Sequence, residues 1–318
     1  MSQMKIVDTT ALNAPGKKRV GTPLEIQKLI DTKKTFSIGR MPGIESYALL
    51  EWCGLRKETP AQYAATKYFK ASLISEETRT RLETNTGFYC REGDYDHVLQ
   101  YWCEKTLEGL RSCDLLFRLE TGESKGFDCL VSQHRDSIHV WSAVRLHEWL
   151  PLLQNKKVLV ISPFEDSIKM QWPNRKKLFS TSKIAPSFEF PDFELKTVKT
   201  HNTIRGNEPF PCGNWRESFE SMCREIKDID FDIAIVGCGG YGMPIVNYIK
   251  NLGKASMYVG SYVQVMFGIM GSRWNVKGNT ILGYSNEFWK TPEPHEIPKS
   301  AGQVENGCYW LNKGEIIK

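Results

Sequence analysis

A glycine-rich turn in the last third of the chain has the residue types and spacing that bind phosphate groups. An apolar strand, DFDIAIV, leads into Gly237-Cys238-Gly239-Gly240-Tyr241-Gly242, and an amphipathic helix follows. Glycines at such a turn let backbone N–H groups approach an anion at a helix N-terminus. We therefore predict that Gly237, Gly239, Gly240, Tyr241 and Gly242 bind the phosphates of a nucleotide. The alternative is that these glycines only let helices pack closely on strands.

The turn satisfies G-x-G-x-x-G, the dinucleotide-binding fingerprint, but the next strand lacks a residue that this function needs. An NAD-binding domain has an acidic residue at the end of that strand, where it binds the ribose 2′-hydroxyl. Here the strand ends Met257-Tyr258-Val259-Gly260-Ser261-Tyr262, with neither an acidic residue nor a basic one for a 2′-phosphate. The sequence therefore disfavours a dehydrogenase.

A second glycine-marked segment, GSYVQVMFGIMGSRW, follows at residues 260–274. Two such turns on neighbouring strands can enclose a diphosphate, with a helix N-terminus from one and a cation from the other. We predict that Gly260, Ser261 and Gln264 contact the bound nucleotide and that Arg273 is the cation. The alternative for Arg273 is a surface arginine paired with a helix C-terminus.

The regular elements predict an α/β fold with a Rossmann-like, doubly wound and mostly parallel sheet, because strands alternate with amphipathic helices after residue 157. Before that point helices dominate. We expect a flexible arm over residues 1–21, a helix-rich half over 22–156 and a nucleotide-binding half over 157–318, and the two halves could form one continuous domain. The predicted strands are 35–39, 114–119, 157–162, 193–199, 232–236 and 255–259. One predicted helix opens at Thr22 and precedes the first of these strands, and the others are 43–52, 60–74, 76–86, 94–111, 141–153, 165–179, 214–227 and 243–252.

Composition narrows the functional classes. The net charge of +5 over 318 residues is mild and shows no basic stripe, so we expect no nucleic-acid partner. No stretch is apolar enough to span a bilayer, and the N-terminus lacks a secretory apolar region. The nine cysteines form no C-x-x-C pair, which favours reduced thiols and a cytoplasmic location. The six histidines show no H-x-x-x-H spacing, which disfavours a zinc site.

Six segments spread over residues 35–310 together carry a family resemblance. They are SIGRMPGIES, ISPFEDSIKMQWPNRKKLF, FDIAIVGCGGYGMPIVNYIKNLGK, GSYVQVMFGIMGSRW, SNEFWKTP and ENGCYW. In this order they resemble a family of glycosyltransferases encoded in glycan-assembly gene clusters, which is distantly similar to the GT-D-type glycosyltransferases. The resemblance implies a Rossmann-like nucleotide-sugar fold. It also implies transfer of a hexosyl, deoxyhexosyl or pentosyl group from a nucleoside diphosphate to an oligosaccharide or glycan acceptor, with residues 22–156 on the acceptor side.

One motif departs from the pattern that the resemblance leads us to expect. GT-D-type enzymes carry Arg-aromatic-Gly-Asp-Gly-Glu after the first strand, and its two carboxylates help to hold the donor, often with a divalent metal. Here Arg40-Met41-Pro42-Gly43-Ile44-Glu45 retains Arg40 and Glu45 but has Gly43 in place of the aspartate. Hard cations such as Mg²⁺ and Mn²⁺ favour clustered carboxylate oxygens. We therefore expect Arg40 to neutralise the donor diphosphate and predict no metal ligands, the alternative being a bound Mg²⁺ or Mn²⁺.

Carboxylates near the sheet edge are the candidate catalytic groups, because an inverting transferase needs a general base for the acceptor hydroxyl. Glu45 is the first candidate and Asp166 the second, since each lies in the first turn of a helix that follows a strand. The alternative for Glu45 is an ordinary carboxylate at a helix N-terminus. The alternative for the Asp166 turn is that Ser162 and Ser167 cap the helix and that the turn binds no ligand. Glu287 and Trp289 are assigned to the acceptor side, the alternatives being backbone hydrogen bonding for Glu287 and a core position for Trp289.

The sequence thus predicts a cytoplasmic glycosyltransferase with a nucleotide-sugar donor, for which UDP is favoured because uridine donors are common. Two other functions remain open. The glycine turn also resembles the loop that binds S-adenosylmethionine in Rossmann methyltransferases, although that loop normally follows the first strand of its sheet. Because Gly43 replaces an expected carboxylate, the chain could also be a nucleotide-sugar-binding protein that has lost catalysis.

Overall fold

The residues that the structure describes form one eight-stranded sheet, in which every neighbouring pair of strands is parallel. The computed structural model describes residues 19–21, 23–40, 42–54, 70–118, 136–139 and 145–311. The strands are β1 Arg19–Gly21, β2 Phe36–Arg40, β3 Leu115–Arg118, β4 Asp136–His139, β5 Lys157–Ser162, β6 Glu194–Lys199, β7 Ile233–Val236 and β8 Ala255–Tyr258. Across the sheet they follow the order β1-β4-β3-β2-β8-β7-β5-β6.

Helices cover both faces of the described sheet. They are α1 Pro23–Thr32, α2 Gly43–Trp52, α3 Glu76–Asn85, α4 Tyr95–Ser112, α5 Leu146–Trp149, α6 Glu165–Gln171, α7 Trp215–Lys227, α8 Gly242–Asn251 and α9 Tyr262–Met266. Short 3₁₀ turns complete the described structure at Ala71–Leu73, Leu150–Leu153, Trp172–Lys177, Gly239–Tyr241, Thr280–Gly283, Pro294–Glu296, Ala301–Gln303 and Glu305–Gly307. None of the described helices has the length and apolar character needed to cross a bilayer.

Local sequence explains where several helices begin and end. The side chains of Ser75, Asp94 and Asn214 accept hydrogen bonds from backbone N–H groups in the first turns of α3, α4 and α7. Proline at position 23 is the first residue of α1, where its missing N–H costs nothing. Pro173 lacks an N–H for the α-helical ladder, and α6 gives way to a 3₁₀ turn there. The predicted helix over 165–179 is therefore shorter than expected.

The direction of each crossover decides which face its helix covers. The connections β1–β2, β4–β5 and β5–β6 run one way along the sheet, and α1, α5 and α6 pack into one core, with Ile26, Trp149 and Ile168. The connections β2–β3, β6–β7 and β7–β8 run the other way, and α2 to α4, α7 and α8 pack into the opposite core, with Trp102 and Phe219. Because crossovers between parallel strands are right-handed, connections that run in opposite directions along the sheet place their helices on opposite faces.

The predicted α/β fold with a parallel, doubly wound sheet is confirmed. The two predicted halves share that sheet, because β2 lies between β3 and β8. Arg19–Gly21, which we assigned to the N-terminal arm, is an edge strand paired with β4. Thr22 and most of the predicted helix over 60–74 lie outside the described residues, as do residues 141–144 of the predicted helix over 141–153. The described part of the latter consists of α5 and the 3₁₀ turn Leu150–Leu153.

Candidate functional site

A cavity of about 360 Å³ lies at the carboxyl ends of five neighbouring strands, β2, β8, β7, β5 and β6. This volume is in the range of small-molecule sites. The connection after β5 leaves on one face of the sheet and the connection after β7 leaves on the other, so a crevice opens between these adjacent strands. Ligands of open parallel sheets bind at such crevices.

Most of the residues predicted to bind the donor line this cavity. They are Arg40, Gly237, Gly239, Tyr241, Gly260, Ser261, Gln264 and Arg273, together with the candidate base Glu45. These residues come from the ends of three strands, from α2 and α9, and from the segment after α9. The fold thus brings together positions as distant in sequence as Arg40 and Arg273. The predicted residues Asp166, Gly240, Gly242, Glu287 and Trp289 are not among the residues that line the cavity.

Contacts within the protein explain why several positions of the turn after β7 are glycine. The N–H of Gly240 donates to the Thr86 carbonyl at 2.9 Å, and its own carbonyl accepts from the indole of Trp102 at 3.1 Å. Gly239 has φ +55°, and a side chain there would place Cβ 2.8 Å from the same Thr86 oxygen. Gly242 lies against the ring of Tyr258. The predicted phosphate contacts of Gly240 and Gly242 therefore give way to the packing alternative, since neither residue faces the cavity.

Arg40 is the cation best placed to receive an anion. Its guanidinium lies against Gly260, whose φ is +63°, and any Cβ at that glycine would collide with Nη1 of Arg40. The Nε atom of Arg40 is buried and has no hydrogen-bond partner, and no carboxylate in the described part of the chain forms an ion pair with it. Because a buried donor without a partner is unfavourable, this atom points to an acceptor on a ligand.

Glu45 is a buried carboxyl group in the first turn of α2, only 5% exposed. Burial raises its pKa from 4.5 to about 7, and the negative charge of Glu305 adds to this, while its own backbone N–H and Arg40 act in the opposite direction. A carboxyl group with a pKa near neutrality can accept a proton in its charged form and release it again. The structure thus gives Glu45 the environment of a general base.

The raised pKa of Glu45 predicts a pH-dependent stability. Since the folded protein holds this proton more tightly than the unfolded chain, the stability that the group contributes is complete below about pH 4.5 and is lost as the pH rises through 7. Glu45→Gln removes the buried charge and should raise the free energy of unfolding at pH 8 by about 3 kcal/mol, at about 1.4 kcal/mol per pKa unit. Urea denaturation of both proteins at pH 5 and pH 8 measures this. An equal difference at both pH values would contradict it.

Arg273 forms the second cationic wall of the cavity. Its guanidinium is ion-paired with Glu305 and lies 4.5 Å above the ring centre of Tyr309. Gln264 donates from its amide nitrogen to the Tyr309 carbonyl at 2.9 Å, which ties α9 to the same segment. Glu305 and Asn306 both have positive φ angles, +46° and +59°. Such conformations are uncommon for residues other than glycine and concentrate at functional sites.

The carboxylates of the cavity do not fit a divalent metal ion. Among the described residues that line it, only Glu45 and Glu305 carry carboxylates. Burial and Glu305 hold Glu45 partly protonated near neutral pH, while Glu305 is already paired with Arg273. No described side chain takes the position of the expected aspartate, because a Cβ built on Gly43 would have no described atom within 4 Å. Mg²⁺ and Mn²⁺ need clustered, ionised oxygen ligands.

Asp166 lies in a separate polar cluster. Its carboxylate accepts from Lys199 at 2.6 Å and contacts His295 at 2.8 Å, and these hydrogen bonds lower its pKa to about 2. The neighbouring Glu296 accepts from the N–H groups of Asp166 and Ser167 at the start of α6. Asp166, His295 and Glu296 are close enough to hold a metal ion. Hydrogen bonds and the Lys199 ammonium already satisfy these side chains without a metal ion. We therefore correct Asp166 from a catalytic candidate to a structural residue.

The two residues assigned to the acceptor side also lie elsewhere. Trp289 is 3% exposed, donates from its indole to the Leu178 carbonyl at 2.7 Å and packs edge-on against Phe179. Trp289 is a core residue, which is the alternative predicted for it from the sequence. Glu287 is exposed in the segment that precedes it. Neither side chain reaches the cavity.

Sequence reasoning missed the residues that follow β6. Thr200, His201, Asn202, Thr203 and Ile204 all line the cavity. These residues directly follow a correctly predicted parallel strand. That position could have identified them as cavity residues, because it places them at the same sheet edge as the glycine turn. Thr86 and Gly87 also line the cavity, but no comparable feature of the sequence could have identified them, since they follow a helix.

No protein-family model, curated protein or solved structure matches this chain. The chemical interpretation therefore depends on the residues of the cavity.

Proposed function

We propose that the protein is a glycosyltransferase that moves a sugar from a nucleoside diphosphate, UDP by preference, to a hydroxyl group of a glycan. The observation that carries this proposal is one cavity in which a buried carboxyl group with a pKa of about 7, Glu45, lies near two arginines, Arg40 and Arg273. Glycosyl transfer requires both parts: a base for the acceptor hydroxyl and positive charge for the departing diphosphate.

Each residue has a defined role in the proposed reaction. A Glu45 carboxylate oxygen accepts the proton of the acceptor hydroxyl, and the resulting oxygen nucleophile attacks the anomeric carbon. The bond between that carbon and the diphosphate oxygen breaks, and the nucleoside diphosphate leaves with the electron pair. Arg40 and Arg273 stabilise the negative charge that develops on it. Attack opposite the leaving group inverts the anomeric configuration.

The cationic side chains take over the role that a metal ion plays in many nucleotide-sugar enzymes. A guanidinium offers planar, paired donors to phosphate oxygens and remains charged at any physiological pH. Arg40 has a buried donor available, and Arg273 can exchange its exposed partner Glu305 for a ligand oxygen. We therefore expect transfer to proceed in EDTA.

Calorimetric titration of the purified protein tests the proposal. We expect binding of at least one of UDP, GDP, ADP, CDP and dTDP, and no binding of NAD or S-adenosylmethionine. The corresponding nucleotide sugars, incubated with glycan mixtures in EDTA, should then give a product heavier by one sugar residue in mass spectrometry. S-adenosylmethionine binding would favour a methyltransferase. Donor binding without hydrolysis or transfer would favour a non-catalytic binding protein.

A further inference from the structure

The lining of the cavity is divided by charge along the sheet edge. Arg40, Glu45, Arg273 and Glu305 lie at the end formed by β2 and the segments after β8. Arg81 of α3 also lines the cavity, and its guanidinium lies 5.8 Å from the ring centre of Tyr47 in α2. At the other end, Ser162–Phe164 after β5 and Thr200–Ile204 after β6 bring one histidine but no aspartate, glutamate, lysine or arginine. Five neighbouring strands separate the extremes by about 19 Å, at 4.7–4.9 Å per strand. The cavity thus has a charged end and a neutral, partly apolar end.

The neutral end is held in a fixed conformation. The N–H of Thr200 continues the β5–β6 ladder by donating to Ser162 at 3.2 Å. Three residues later, the buried hydroxyl of Thr203 donates to the Gly87 carbonyl at 2.5 Å and contacts the Tyr241 hydroxyl at 2.9 Å. His201 lies between these two anchors, so its backbone position is fixed from both sides.

The imidazole of His201 has a buried atom with no partner. Its Nδ1 is shielded from solvent and has no hydrogen bond within the described structure. Burial lowers the pKa of this histidine, which keeps the ring neutral at physiological pH. A neutral ring nitrogen in a ligand-sized cavity can donate or accept, according to its tautomer, and leaving it unpaired is unfavourable. An uncharged polar group of a ligand satisfies it.

We propose that the neutral end is the nucleoside subsite, in which Nδ1 of His201 bonds to the base or ribose and the diphosphate extends toward Arg40 and Arg273. This inference rests on the proposed function and gives the donor an orientation. The glycan acceptor must reach Glu45, which lies at the charged end beside Arg40. The neutral end is therefore left for the part of the donor that carries no charge. Phe164 and Ile204 supply apolar walls for a heterocyclic base.

Fragment titrations test this orientation. The nucleoside diphosphate that binds the wild type best, its monophosphate and inorganic pyrophosphate are titrated into three variants of the full chain. His201→Phe keeps a ring but removes Nδ1, and it should weaken the diphosphate and monophosphate at least about tenfold while leaving pyrophosphate unchanged. His201→Asn restores a polar atom near the Nδ1 position and should recover much of the affinity. His97→Phe, at an exposed position of α4 outside the cavity, is the matched control and should change nothing.

The outcomes separate the two proposals. If no nucleoside diphosphate binds the wild type, the proposed function fails. If one binds but His201→Phe and His201→Asn leave its affinity unchanged, or weaken pyrophosphate equally, the nucleoside subsite is wrong and the proposed function stands. Because Nδ1 has no partner among the described residues, the melting temperature of ligand-free His201→Phe should not fall. A large decrease would instead mark His201 as a structural residue.

Discussion

Replacement of Glu45 by glutamine is expected to lower the rate of sugar transfer by roughly 10²–10⁴-fold, the usual effect of removing a positioned base. Glutamine preserves the size of the side chain and can still accept from the backbone N–H of α2, but it cannot take up the proton. The affinity for the nucleoside diphosphate should hardly change, because Arg40 and Arg273 remain. Single-turnover kinetics and calorimetric titration measure the two quantities separately.

The pH profile gives this prediction a second readout. Only ionised Glu45 can act as the base, so the wild-type rate should rise with pH through a midpoint of about 7 and level off above it. Glu305→Gln removes a negative charge that raises the pKa of Glu45, so the midpoint should move to lower pH. A midpoint near 4.5 would contradict the raised pKa of Glu45, and a rate independent of pH would contradict its role as the base.

Asp166→Asn is the matched control for Glu45→Gln. Both residues are acidic, both lie in the first turn of a helix that follows a parallel strand, and only Glu45 lines the cavity. We expect Asp166→Asn to turn over at the wild-type rate. Equal losses in the two variants would mean that acidic first turns matter for folding rather than for proton transfer. If Glu45→Gln weakened donor binding and EDTA had the same effect, Glu45 would instead be a metal ligand.

Arg273→Ala is expected to lower kcat by roughly 10²–10³-fold, comparable to the loss of one donor that stabilises a developing negative charge. The leaving diphosphate gains charge as the glycosidic bond breaks, so the contact is stronger in the transition state than in the bound donor. The KM for the donor should therefore rise much less than kcat falls. Arg273→Lys should recover only part of the rate, because an ammonium cannot bind two oxygens in a plane.

The ion pair between Arg273 and Glu305 requires its own control. Arg273→Ala breaks that pair as well as the proposed diphosphate contact, whereas Glu305→Gln breaks the pair and keeps the guanidinium. If the diphosphate contact matters, Glu305→Gln should retain most of its activity at a pH above the new midpoint. Equal losses in both variants would assign Arg273 to holding the 305–310 segment in place. Wild-type turnover of Arg273→Ala would contradict both roles.

Much of the sheet could be predicted because buried parallel strands appear as short apolar runs between turn residues. The strand Lys157–Ser162 and the helix Gly43–Trp52 have the predicted bounds. The three residues of β1 carry no such pattern, since they form an edge strand defined by pairing with β4. The position of β2 between β3 and β8 could not be predicted either, because strand order depends on packing among distant segments.

The site was only partly predictable for the same reason. A position after a parallel strand places a residue at the ligand edge, and this rule correctly brought Arg40, Glu45 and Gly260 together. It does not reveal which other segments surround that residue. Asp166 has Lys199 and His295 as neighbours, and Gly240 has the carbonyl of Thr86. Those contacts join residues that are distant in sequence and leave no periodic signal.

The pairing of β2 with β8 also has a consequence for the order of events during synthesis. Phe36 pairs with Ala255, so the centre of the sheet joins segments that are roughly 220 residues apart. A ribosome that adds about 5–20 residues per second separates their emergence by about 10–40 s. During that interval the apolar edge of β2 has no β8 to cover it, and open edges of this kind invite association with other chains. The nascent chain should therefore depend on a chaperone until β8 emerges, and residues 1–156 expressed alone should aggregate.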